Sequence, residues 1–84
     1  MNEHLREYIE HMRIAASDAC GFVDGMSKSD FLSDKRTQQA VIMSLIIIGE
    51  AATKLMDNYS GVTRRHVEIP WRSMRGMRNR VTHG

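Results

Sequence analysis

The segment RNRVTHG, residues 78–84, sets an arginine, an asparagine and a histidine close together, directly after further arginines at 72 and 75. A guanidinium is a planar fork of permanently cationic donors that suits phosphate oxygens. An imidazole titrates near neutrality and can carry a proton either way. Arg78 and His83 thus have the parts of an anion-gripping, proton-moving pair, with the Asn79 amide as a polar neighbour. A solvated basic tail is the plainer alternative, and the elements around the segment decide between them.

Those elements read as helices. WRSMRGMRNRVT follows Pro70, which suits the first turn of a helix because its missing N–H costs nothing there. At about 100° per residue, Trp71, Met74, Met77 and Val81 share one face, and Arg78 falls between Trp71 and Met74 on it. A guanidinium turned to the apolar side needs a partner or a cleft, since an unpaired charge there would cost several kcal/mol. Asn79 and His83, four apart, lie on the adjoining side, and Arg72 and Arg75 fill out a cationic flank.

Two long helices precede this one. The first spans about Glu3 to Asp24, with Leu5, Tyr8, Ile9, Met12, Ala15, Ala16, Ala19, Phe22 and Val23 at the spacing of one buried stripe. GMSKSD, residues 25–30, is a turn in which Ser29 caps a short helical turn through Phe31 and Leu32. Ser33 or Asp34 then caps a second long helix, from about Lys35 to Asn58. Val41, Leu45, Ile48, Ala52 and Leu55 form its stripe, and Met43, Ile46, Ile47 and Ala51 continue round the cylinder. A helix apolar on most sides is buried on most sides, so one flank is expected to meet a second copy of the chain. Glu50 interrupts this stretch; it either needs a cationic partner or sits on a thin polar seam. SGVTRRHVEIP, residues 60–70, reads as a connector, with Gly61 breaking the helix and His66 on the surface. The expected fold is all-α: a small antiparallel bundle of two long helices and a shorter C-terminal one, within a single domain.

Composition narrows the function. Residues 61–84 hold six Arg and one Glu, six minus one giving +5, whereas residues 1–60 hold six Lys or Arg against nine acids, giving −3. The basic end is expected to face an anion. Cys20 is the lone cysteine, which excludes an internal disulfide, fits a reducing cytoplasm, and reads as a small apolar residue at a helix edge. AVIMSLIIIG, residues 40–49, is about half of the ~20 residues that a membrane span needs, so no membrane role is expected. His4 and His11 lack companion ligands, and neither a metal nor a cofactor is expected. No glycine-rich phosphate loop, cysteine pair or nucleophile elbow is present.

Three segments carry a family likeness: RTQQAVIMSLIIIGEAATKL (36–55), EIPWRSMRGMRNR (68–80) and RNRVTHG. With IIGEAA, IPW and GMRNR-x-x-HG in this order, the chain resembles the HepT-like branch of the HEPN superfamily. The resemblance implies a helical homodimer that brings two Arg-x4-His motifs into one cleft. It also implies a metal-independent ribonuclease, and in many members the toxin of a toxin–antitoxin system paired with a small nucleotidyltransferase antitoxin. On this sequence the motif falls on Arg78 and His83, with Asn79 at its polar position and Glu50 as the acidic residue of the GEAA block. RNA would supply the 2′-hydroxyl as internal nucleophile, His83 would move the proton, and Arg78 would hold the phosphate. Arg72, Arg75 and Arg80 would attract RNA generally. Family members usually carry a Tyr two residues beyond the motif His and a further C-terminal helix. A chain stopping at Gly84 would be shortened relative to them, with part of the apolar stripe of the long helices exposed. The alternative implied is a non-catalytic helical dimer that binds a nucleotidyltransferase antitoxin or RNA.

Overall fold

The computed structural model describes residues 3–83, and they form five α-helices without a strand. Met1, Asn2 and Gly84, the closing residue of RNRVTHG, lie outside the described residues. The helices are α1 (Glu3–Val23), α2 (Lys28–Leu32), α3 (Lys35–Asn58), α4 (Ser60–Arg65) and α5 (Trp71–His83). The all-α bundle expected from periodicity is what forms: α1 and α5 both pack on α3, and α2 and α4 are short pieces in the two connections.

Local chemistry sets each boundary. Gly25 closes α1 at φ 76°, a left-handed conformation that costs a Cβ-bearing residue energy, and Met26 N–H donates to the Val23 carbonyl at 3.0 Å. Ser27, rather than Ser29, caps α2. Its hydroxyl accepts from Asp30 N–H at 3.0 Å while the Asp30 carboxylate accepts from Ser27 N–H at 3.1 Å, a reciprocal capping box. Ser29 cannot do the same because it already lies inside the turn. Ser33 donates back to the Ser29 and Asp30 carbonyls, which leaves Asp34 to cap α3.

The Asp34 cap carries a pH dependence. The Thr37 backbone N–H at 3.1 Å, then the Thr37 hydroxyl at 2.9 Å, hold the Asp34 carboxyl below the ordinary aspartate value. A carboxyl whose folded value is depressed contributes stability above its unfolded value and loses it as pH falls through the folded one. Asp34→Ala should therefore melt at a lower temperature than the parent at neutral pH. The gap should begin to shrink below about pH 4, the ordinary aspartate value, and close as pH falls through the depressed value of the folded carboxyl. Thermal unfolding followed by circular dichroism across that range reads it; a gap independent of pH would mean that the side chain acts by shape alone.

Three further expectations need correction. SGVTRRHVEIP is not a plain connector, because Ser60–Arg65 is helical. Gly61 sits in its first turn, where N–H groups lack intrahelical partners and a glycine breaks nothing. Thr63 is the buried residue that holds this turn against the bundle. The apolar stripe of α1 is also less covered than its spacing suggests: Ala15 alone is buried, and Ile9, Ala16 and Phe22 are exposed. Cys20 is exposed rather than tucked at an edge.

The core is correspondingly small. Ala15, Ala51, Ala52 and Leu55 are its buried apolar residues, with Ser44 and Thr63 as buried polar ones. The short side chains let α1 and α5 approach α3 closely from two sides. The molecule measures 41 × 26 × 21 Å, so its thinnest dimension is about two helix diameters and α3 keeps a bare flank carrying Ile42, Met43 and Ile47. With 24 residues, α3 is long and apolar enough, by length and composition, to cross a membrane. The length argument drawn from AVIMSLIIIG alone therefore does not hold. What marks α3 as the central helix of a bundle is its packing against α1 and α5, and the ion pairs it makes with α5.

Candidate functional site

The site is built where α3 meets α5. Glu50, Thr53 and Asp57 stand three and then four residues apart on α3 and so share one face. Arg75 and Arg78 stand three apart on α5. The Arg78 Nη1 donates to Glu50 Oε1 at 2.6 Å, its Nη2 donates to Thr53 Oγ1 at 3.3 Å, and the Arg75 Nη2 donates to Asp57 Oδ1 at 2.6 Å. Higher numbers on α5 meet lower numbers on α3, so the two helices run antiparallel and the pairs lock their register.

Arg78 thus has the anionic partner that its position demands, and Glu50 is the acid that meets it. The Arg78 side chain is 18% exposed and that of Glu50 is 50% exposed. The pair therefore straddles the edge of the bundle. A guanidinium has five N–H donors. The Nε–H of Arg78 is buried without an acceptor, one Nη1–H serves Glu50 and one Nη2–H serves Thr53. Five minus three leaves two donors for an incoming anion. Glu50 also lines a small groove of about 220 Å³ between α1 and α3, together with His11 and Lys54.

His83 ends α5, exposed, five residues beyond Arg78. Five residues turn a helix through about 140° past one full turn, so within one chain the imidazole and the guanidinium do not touch. Asn79 and Arg80 are exposed beside it. Arg72 and Arg75 lie near the other end of α5, where they line an open concavity of about 580 Å³ with Arg64, Trp71 and Asp57. Arg75 is engaged by Asp57, which leaves Arg72 and Arg64 as the more open cations there. The Trp71 indole N–H donates to the His66 carbonyl at 3.0 Å and fixes the connector to the start of α5. Neither Thr53 nor Asp57 stood out in the sequence, although their places three and seven residues after Glu50 carry the signal.

A short all-α bundle whose central helix presents Glu50 to an arginine of a basic last helix, with a histidine five residues on, defines the class. The family model Ribonuclease HepT-like matches residues 5–84, and the chain belongs to that family. A Thermococcus cleftensis protein named "Probable ribonuclease HepT" is 39% identical over 83 residues, covering 99% of this chain and 73% of its own length. A Methanocaldococcus jannaschii protein, provisionally named as an RNase, is 34% identical over 79 residues, 94% of this chain and 60% of its own. Another RNase-named protein, from Caldanaerobacter subterraneus subsp. tengcongensis, is 33% identical over 78 residues, 93% and 67% respectively. The chain therefore spans between 60% and 73% of the length of these three relatives. No solved structure gives a match.

Proposed function

We propose that this chain is the helical core of an RNA-cleaving toxin that works as a homodimer, with Arg78 and His83 as its catalytic residues. The observation that carries the reading is the Arg78 guanidinium, fixed at the edge of the bundle by Glu50 and Thr53 with two donors left over. The family name supports an RNase; the roles of individual residues are inferred from the geometry and from chemistry.

In this reading Arg78 binds a non-bridging oxygen of the scissile phosphate. The adjacent 2′-hydroxyl attacks phosphorus, its proton passes to a base, and the 5′-oxygen leaves with a proton from an acid. The products are a 2′,3′-cyclic phosphate and a 5′-hydroxyl end. An imidazole serves either proton transfer. Because Arg78 and His83 point to different sides of one α5, a second copy is needed to set an imidazole across from each guanidinium. The exposed Ile42, Met43 and Ile47 on α3 and Ile14 on α1 are the apolar surface available for such a partner. Arg72, Arg75 and Arg80 gather RNA by charge, and Asn79 orients His83 or a phosphate oxygen. A nucleotidyltransferase-type antitoxin is the protein partner proposed, and the cytoplasm the compartment.

End-labelled RNA incubated with the purified chain in EDTA tests the reading. Strand scission is expected, with cyclic-phosphate ends, and none in a substrate methylated at every 2′-oxygen. Cleavage of the methylated substrate would overturn the mechanism. Binding that weakens with salt but never cuts would replace it with a non-catalytic RNA- or antitoxin-binding dimer.

A further inference from the structure

Gly49 is a costly choice of residue. Glycine in a helix interior is destabilising relative to alanine, yet it occupies the middle of α3, between three isoleucines and Glu50. It is also buried. Its backbone conformation does not explain it, since Gly25 is the glycine with positive φ among the described residues.

Contact with α5 does explain it. A Cβ placed on Gly49 would overlap the Cβ of Arg78 and come within 2.9 Å of its Cγ and 3.0 Å of the Met74 carbonyl oxygen. None of these is the free end of a flexible side chain; all belong to, or sit next to, the α5 backbone. An added methyl must therefore push the two helices apart or rotate α5. At Gly21, Gly61 and Gly76 an added Cβ meets nothing within 4 Å, so the demand for glycine is specific to this point.

The same turn of α3 supplies a second fixture. The Thr53 hydroxyl donates to the Gly49 carbonyl at 2.8 Å, which aims its lone pairs outward to accept from Arg78 Nη2. Gly49 thus sets how near the root of Arg78 lies to α3, while Glu50 and Thr53 set where its guanidinium ends.

We propose that Gly49 and Thr53 are positioning residues for Arg78: together they form a seat on α3 that holds the guanidinium in one orientation before any anion arrives. The placement is independent of what Arg78 does; its kinetic consequence rests on the ribonuclease reading. Pre-positioning matters because a displacement of about 1 Å at a reacting group can slow a reaction about 100-fold.

Two readouts test this in the full chain. The first is the ¹H–¹⁵N spectrum of the arginine guanidiniums, with the Arg78 signals assigned by loss in Arg78→Lys. Held by two acceptors, the Arg78 Nη protons should give resolved, slowly exchanging signals in the parent. They should broaden or average in Gly49→Ala and in Thr53→Val, while Gly76→Ala leaves them in place.

The second readout is cleavage kinetics. Gly49→Ala should lower kcat about 10- to 100-fold and Thr53→Val about 10-fold, each with KM within about twofold; Gly76→Ala should match the parent. Combining Gly49→Ala with Glu50→Gln should be no slower than the slower single variant, because both act through one guanidinium.

Thr53→Val keeps the shape of the side chain and tests the seat even if Gly49→Ala fails to fold. Unchanged Arg78 signals in Thr53→Val, or additive losses in the double variant, would overturn the proposal. If the parent itself does not cut RNA, the ribonuclease reading fails alone, and the guanidinium spectra still decide whether the seat exists.

Discussion

His83→Ala is expected to lower RNA cleavage about 10²- to 10⁴-fold, the usual contribution of a positioned general acid or base. The far-UV circular dichroism and melting temperature should stay at parental values. Both halves follow from where the side chain sits. It is exposed at the last described turn of α5, and among the described residues no side-chain hydrogen bond or ion pair ties it to the bundle. Removing it leaves no cavity and orphans no buried group, so surface-level effects on stability are all that remain. A residue with no structural duty but a large kinetic effect is acting in the chemistry. His83→Gln keeps a hydrogen-bonding side chain of similar reach without a titratable ring, and should be as inactive as the alanine variant. A glutamine variant as fast as the parent would reduce His83 to a hydrogen-bond donor. An alanine variant at full rate would remove it from the mechanism.

How far the sequence foretold this arrangement depended on the range of the interactions involved. Helix periodicity is local, and it placed α1, α3 and α5 to within a residue or two. The demand for a partner to Arg78 was also legible, because a charge turned to an apolar face must be neutralised. That Glu50 is the partner agrees with its own isolation in α3. Helix caps were half legible: Ser27 and Asp30 have the spacing of a capping box, but Ser29 offers the same side chain two residues on, and only the observed turn separates them. The helix at Ser60–Arg65 stayed hidden behind Gly61, whose low propensity is overridden by the packing of Thr63. Burial was least legible. The α1 stripe keeps helical spacing throughout, yet what covers Ile9 or Phe22 depends on surfaces far away in sequence. The closeness of α5 to Gly49 is of the same kind, a contact across 29 residues that no window of neighbours contains.

Arg78→Ala should act on both the reaction and the fold, and comparison with Arg78→Lys separates the two. In the folded chain the guanidinium has two duties. It neutralises Glu50 and bonds Thr53, and it keeps two donors that neither acceptor uses. Alanine abolishes both. Loss of a preorganised donor to a developing oxyanion costs about 10²- to 10³-fold in kcat. The structural loss is smaller. Glu50 is half exposed, so water takes over much of its solvation once the partner is gone, and about 1 kcal/mol is the appropriate scale for a pair in that setting. In a domain of this size that corresponds to a fall of about 4–8 °C in Tm. Lysine restores one duty alone. Its ammonium can still meet Glu50, so Tm should return to within a few degrees of the parent. It is a point charge and not a fork, so it cannot bond Glu50 and Thr53 in the same planar geometry while presenting two further parallel donors to a phosphate. Cleavage by the lysine variant should accordingly remain within about tenfold of the alanine variant. A lysine variant that recovers parental cleavage would show that positive charge at the end of α5 is sufficient and that the planar geometry enforced by Glu50 and Thr53 is immaterial to the reaction. Recovery of Tm without recovery of rate would assign the fork itself to the phosphate.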